Sequence, residues 1–121
     1  MRNIIYIFLG GGFGSVMRYL VSFYTSKSFQ FGQFPLGTFL VNIIGCFVIG
    51  VLSSYFIKED HSLKYLLITG FCGGFTTFST FSAENYSLWQ NQNYFILISY
   101  ILLSVILGVL AVLMGFLLMK N

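Results

Sequence analysis

The chain has 121 residues, 57% hydrophobic and only 7% charged, with a net charge of +3. Soluble domains carry about 25% charged residues, so this chain cannot cover a water-facing surface and reads as an integral membrane protein. Its six basic residues are scattered and form no patch, which removes the case for nucleic acid as a partner. A chain this short reads as one domain, residues 1–121.

The first apolar run begins like a signal peptide, with Arg2 followed by Ile4–Leu9. It continues through Gly10–Gly14 to Tyr24 with no small-residue cleavage site, so it reads as a retained span over Ile4–Tyr24. A polar link with Lys27, Thr25–Gln33, ends before Pro35. The second span is expected over Leu36–Ile57, since a spanning helix needs roughly 20 apolar residues. The link Lys58-Glu59-Asp60-His61-Ser62-Leu63-Lys64 is the only charge cluster, and His61 there reads as solvated. A third span is expected over Tyr65–Leu88, a short polar turn over Trp89–Asn93, and a fourth span over Tyr94–Met119. Cys46 and Cys72 both fall inside spans and read as small apolar packers, with neither a disulfide nor a metal site implied.

With four spans both termini share one side, which carries Arg2, Lys58, Lys64 and Lys120; the other carries Lys27, with Arg18 near it. The bias places both termini in the cytoplasm, yet it is small. A chain that inserts in both orientations and one with a single topology are equally compatible with it. Four spans can barely line a pathway and still cover it from lipid, so homo-oligomerisation is expected, with twofold symmetry the commonest form. Gly10, Gly11, Gly12, Gly14 and Ser15 in the first span, and Gly45 and Gly50 in the second, suit close helix contact.

The third span contains Gly73-Gly-Phe-Thr-Thr-Phe-Ser-Thr-Phe-Ser82. Two glycines weaken a helix there, and Thr76, Thr77, Ser79 and Thr80 add hydroxyls where lipid offers no partner. Non-helical backbone at membrane depth survives only when protein or a polar pathway covers it, and transporters place ion sites at such breaks. A broken third helix is therefore expected. The freed carbonyls and the negative end of the preceding half-helix suit a hard cation such as Na⁺, although one chain supplies too few oxygens.

Polar side chains elsewhere in the spans need a partner or a purpose. Asn42 lies mid-span with Thr38 four residues earlier on the same face; the pair reads either as interhelical glue or as a polar pathway. Tyr100 and Ser104 form a similar pair, and Gly108 at the next position has no side chain. Phe78 and Phe81, three apart, share a face if the chain is helical there. They read as packing or as positive ring edges toward an anion. Arg18 can snorkel to the interface or draw anions into a vestibule. Glu84 is open to three roles: capping the vestibule, pairing with Arg18, or facing water at the end of the span.

Taken together, Gly10-Gly-Gly-Phe-Gly-Ser-Val-Met-Arg-Tyr19, Pro35-Leu-Gly-Thr-Phe-Leu-Val-Asn-Ile-Ile-Gly45 and Thr69-Gly-Phe-Cys-Gly-Gly-Phe-Thr-Thr-Phe-Ser-Thr-Phe-Ser-Ala-Glu84 resemble the CrcB/Fluc fluoride channel family over nearly the whole chain. The resemblance implies an all-α membrane fold of four helices, an antiparallel dual-topology homodimer in the bacterial plasma membrane, and two fluoride pores. It implies a structural, untransported Na⁺ at the dimer centre, held by the main-chain carbonyls of Gly73 and Thr76. It assigns Asn42, Phe78 and Phe81 to the pore, with Tyr100 and Ser104 as a polar track, and makes the chain a channel rather than an enzyme. Thr38 joins the pore through its place one turn from Asn42. A serine present in some members is Gly108 here, at the far end of that track.

Two other readings share the small size. A small multidrug-type proton-coupled exporter needs a carboxylate early in the chain, and the first span has none. A non-transporting assembly subunit would use the buried polar groups only as glue.

Overall fold

The structure is a computed structural model in which residues 1–28, 32–58 and 61–120 are described. Residues 29–31 of the first link, and Glu59 and Asp60 of the charge cluster, lie outside the described residues. Every regular element among the described residues is helical: α1 (Arg2–Ser28), α2 (Leu36–Lys58), a π-helix (Tyr65–Cys72) that runs on into the short α3 (Gly73–Phe75), α4 (Ser79–Gln90) and α5 (Tyr94–Leu118).

Among the described residues, four helical segments are long and apolar enough to cross a membrane: Arg2–Ser28, Leu36–Ile57, Tyr65–Gln90 and Tyr94–Leu118. α2 and α5 are apolar all round rather than on one stripe, which marks helices surrounded by lipid and by each other, whereas α4 carries Glu84, Asn85 and several hydroxyls. Large side chains such as Phe8, Phe95 and Val109 accordingly stand exposed on the outside of the bundle. The protein is a multi-pass membrane protein. The first helix runs four residues beyond the expected span, through Thr25–Ser28, and Thr25 is buried. The polar turn before α5 is confined to residues 91–93, where Gln92 takes a left-handed φ of 61°. His61 is exposed, as expected, and its Nδ1 accepts the Leu63 N–H at 3.1 Å, at the approach to the third span.

Lipid tails are as apolar as leucine, so helices associate here through close contact rather than through water exclusion. α1 packs chiefly on the π-helix and α3, and α2 packs chiefly on α5. Both seams run on glycine. A Cβ at Gly10 would collide with the Leu66 carbonyl oxygen, and one at Gly14 with that of Phe71. On the other seam a Cβ at Gly50 would strike the Val112 carbonyl, and one at Gly115 that of Phe47. The expected small-residue contacts thus form, but Gly12 faces open space and takes no part.

The glycines of the third span behave differently from their expected role. Gly73, Gly74 and Phe75 are helical, and the helix stops after them. Thr76 is extended at φ −85° and ψ 160°, and regular helix resumes at Ser79. Gly74 is needed for packing instead, because a Cβ there would collide with the Gly11 carbonyl. The π-helix that leads into this segment carries no signal in the hydropathy pattern, since only its hydrogen-bond register differs from an α-helix.

The seams predict an asymmetry between neighbouring glycines. Gly14→Ala should lower the thermal stability of the purified protein in detergent by about 1–3 kcal/mol, as overpacking does. Gly12→Ala should be neutral or stabilising by up to about 1 kcal/mol, from helix propensity. Equal effects at the two positions would contradict the packing of α1 on the third span.

Candidate functional site

A helix that stops inside a bilayer leaves backbone donors and acceptors that lipid cannot satisfy. Here neighbouring side chains take most of them. Asn42 on α2 brackets Thr77: its Nδ2 donates to the Thr77 carbonyl at 3.1 Å, and the Thr77 N–H donates to its Oδ1 at 2.8 Å. Arg18 on α1 donates from Nε to the Gly74 carbonyl at 3.0 Å, a cation at the negative end of the first half-helix. The Cys72 carbonyl accepts twice from Thr76, from N–H at 3.0 Å and from Oγ1 at 2.9 Å. Thr77 Oγ1 accepts the Thr80 N–H at 3.2 Å, relieving one free donor at the start of α4. No described donor is seen to reach the Gly73 or Thr76 carbonyl. Gly73 lies exposed on the outside of the bundle.

Beside the break opens a cavity of about 310 Å³. Asn42, Thr76, Thr77, Phe78, Phe81 and Ser104 line it, together with Gly45, Cys46, Ile49 and Val105. The Phe78 and Phe81 ring centroids are 6.0 Å apart with the rings tilted at 38°, and Phe78 is 78% exposed. The Ser104 hydroxyl is buried and has no hydrogen-bond partner. Cys46 and Cys72 are free thiols; Cys72 is buried, while Cys46 borders this cavity. A Cβ at Gly108 would meet Cys46 Sγ at 3.5 Å, an ordinary contact, so that position has room for a small side chain.

A second cavity, of about 400 Å³, contains Arg18, Thr38, Thr80 and Glu84. Arg18 and Glu84 border the same space but do not pair, which corrects one of the roles open to Glu84. The Arg18 bond goes to Gly74, and Glu84 is held by two hydroxyls: Thr38 Oγ1 donates to Oε2 at 2.7 Å and Tyr100 OH to Oε1 at 2.8 Å. Thr38 therefore bonds to Glu84 rather than acting with Asn42, although the two share a helix face. Tyr100 is fully buried, its ring 4.9 Å from Phe81 and 5.3 Å from Phe34.

Sequence reasoning singled out most of these residues but missed several neighbours. Ser22 and Ser26 of α1 line the Arg18 cavity, as does Ser15, which the sequence reading took only as a small residue for helix contact. Their spacing with Arg18, three then four then four, places them on one face and was a usable signal. Phe34, Gly45 and Cys46 carry no such signal, since an aromatic, a glycine and a thiol in an apolar run all read as packing.

The sequence profile described as CrcB-like protein, Camphor Resistance (CrcB), matches residues 5–116. The chain belongs to the CrcB-like family. Among its relatives, a protein of Azobacteroides pseudotrichonymphae is 47% identical, across 98% of this chain and 96% of its own length. One of Helicobacter pylori is 44% identical across 98% and 95%. One of Gloeothece citriformis is 43% identical across 100% and 99%. Each of these CrcB-like proteins is named a fluoride-specific ion channel, FluC. The family is thus one of ion channels, not of enzymes.

The bracket at Thr77 makes a stability prediction for this CrcB-like chain. Asn42→Asp removes the donor to the Thr77 carbonyl and sets a carboxylate against it, so it should cost about 1–3 kcal/mol. Ser104→Ala removes a hydroxyl without a partner and should stay within about 0.5 kcal/mol. Thermal unfolding in detergent measures both, and an Asn42→Asp protein as stable as wild type would refute the bracket.

Proposed function

We propose that the chain is a fluoride-specific channel of the bacterial plasma membrane that lets fluoride leave the cytoplasm passively. Two copies would act as an antiparallel dual-topology homodimer. Fluoride enters cells as neutral HF, ionises inside and must leave as the anion, so a passive pathway suffices to lower cytoplasmic fluoride. The observation that carries this reading is convergence. Asn42, Phe78, Phe81 and Ser104, which the resemblance assigns to a pore, line one cavity at the break, in a chain whose relatives are named for fluoride.

The chemistry of that cavity supports a small anion. Fluoride is tightly hydrated, and a pathway must replace its water with several donors, none so strong that the ion stays. A buried serine hydroxyl without a partner offers one donor, and the second N–H of the Asn42 amide offers another. The edges of Phe78 and Phe81 carry partial positive charge. The N-terminal end of α4, next to Phe78, adds the positive end of a helix dipole. A fixed lysine would bind the ion too tightly, and none borders this cavity. Across the second cavity, Arg18 supplies positive charge to attract anions, and Glu84 marks the vestibule held by Thr38 and Tyr100.

The Gly73 and Thr76 carbonyls fit a sodium ion. They are neutral hard oxygens with no hydrogen-bond donor among the described residues, at the negative end of the first half-helix. Two chains related by a twofold axis would supply two such pairs. Bound there, sodium would neutralise converging carbonyl dipoles and hold the subunits together without being transported. A proton-coupled exporter finds no support, since α1 contains no Asp or Glu.

Purified protein in liposomes should release fluoride rapidly, as read by a fluoride electrode, and retain chloride. Phe78→Ile should slow fluoride release by about tenfold, the effect of losing roughly 1.4 kcal/mol of anion stabilisation. Equal chloride release, or a Phe78→Ile protein indistinguishable from wild type, would reject the assignment. Replacing sodium by a large organic cation on both sides should slow release or loosen the dimer; indifference in both would reject the central sodium.

A further inference from the structure

The geometry points to Gly45 as a positioning residue for the break, acting through the side chain of Thr76. Gly45 is buried on α2, three residues after Asn42 and so near the same face. A Cβ at this position would collide with Cγ2 of Thr76. The next nearest atoms are a Phe75 ring carbon at 3.4 Å and Thr76 Cβ at 3.7 Å, both ordinary contacts. The conflict therefore rests on one methyl group.

That methyl is not free to move away. The Thr76 hydroxyl donates to the Cys72 carbonyl at 2.9 Å, and the Thr76 N–H donates to the same oxygen at 3.0 Å. Two bonds from one residue to one carbonyl fix the side-chain rotamer, and a β-branched residue in a fixed rotamer has a fixed methyl. Here the methyl projects onto α2, where only glycine leaves space. Thr76 is also where the chain turns extended, so a push on its Cβ displaces its carbonyl. α2 thus positions the break twice, by the amide bracket of Asn42 on Thr77 and by a slot at Gly45 for Thr76.

The functional consequence rests on the reading above, in which the Thr76 carbonyl serves a cation and the adjacent cavity conducts. Four proteins test it in liposomes: wild type, Gly45→Ala, Thr76→Ser and the double variant. Serine keeps the hydroxyl bonded to Cys72 and lacks the methyl. With Thr76 present, Gly45→Ala should slow fluoride release by about tenfold and raise the sodium concentration needed for half-maximal release. In the Thr76→Ser background the same substitution should slow release by less than about threefold. A purely structural glycine, needed only for helix packing, would be equally intolerant in both backgrounds, and that outcome overturns the proposal. So does a harmless Gly45→Ala in the presence of Thr76. If wild type releases no fluoride, the channel reading is what fails. The same four proteins then decide the steric pairing through their thermal transitions in detergent: Gly45→Ala should lower the transition less in the Thr76→Ser background than with Thr76 in place, and equal lowering overturns it.

Discussion

The bonds between Asn42 and the backbone of Thr77 make the rest of this structure possible. A transmembrane helix satisfies its own backbone, and stopping one midway exposes donors and acceptors that lipid cannot partner. Asn42 restores both main-chain bonds of the first residue past the extended turn, with one donor and one acceptor at the right separation. Aspartate lacks the donor, and alanine lacks both groups. Arg18 on Gly74 and Thr76 on Cys72 complete the repair from two other directions. What remains is a short interruption between two half-helices, with the Gly73 and Thr76 carbonyls lacking a donor among the described residues.

That arrangement places opposite partial charges on the two sides of the break. The end of the first half-helix is negative and carries the Gly73 and Thr76 carbonyls, whereas the start of the second is positive and carries Phe78 and Phe81. One segment can therefore serve a fixed cation on one side and a moving anion on the other. The surrounding bundle is built to tolerate this. Where α1 meets the third span the seam is glycine against backbone, which brings Arg18 within reach of Gly74, whereas on α2 Gly45 faces the Thr76 side chain and Asn42 bonds Thr77 one turn away.

Much of this was legible in the sequence. Four apolar runs gave the helices, because length and apolarity alone decide a span. Asn42 and the hydroxyl-rich segment after Gly74 stood out because polar groups in lipid need reasons. Three features were not legible. The stop falls at Thr76–Phe78 rather than at the glycine pair, because Gly74 is spent on contact with α1, and a contact across 63 positions leaves no local trace. The π-helix before it differs from an α-helix only in register. The separate partners of Arg18 and Glu84 depend on where all four spans converge, and the sequence left pairing with Arg18 as one of three roles open to Glu84. The slot at Gly45 is of the same kind, since its meaning lies in the Thr76 methyl.

A small, weakly charged bundle can thus hold an interruption within its third span using neutral donors and one arginine, and no lysine borders the cavity beside it. The most direct test of a passive and selective pathway is electrical. Purified protein in a planar bilayer, with fluoride on one side and chloride on the other at equal sodium, should carry current that reverses far toward the fluoride equilibrium potential. A reversal near zero, or one that follows chloride, would contradict the account.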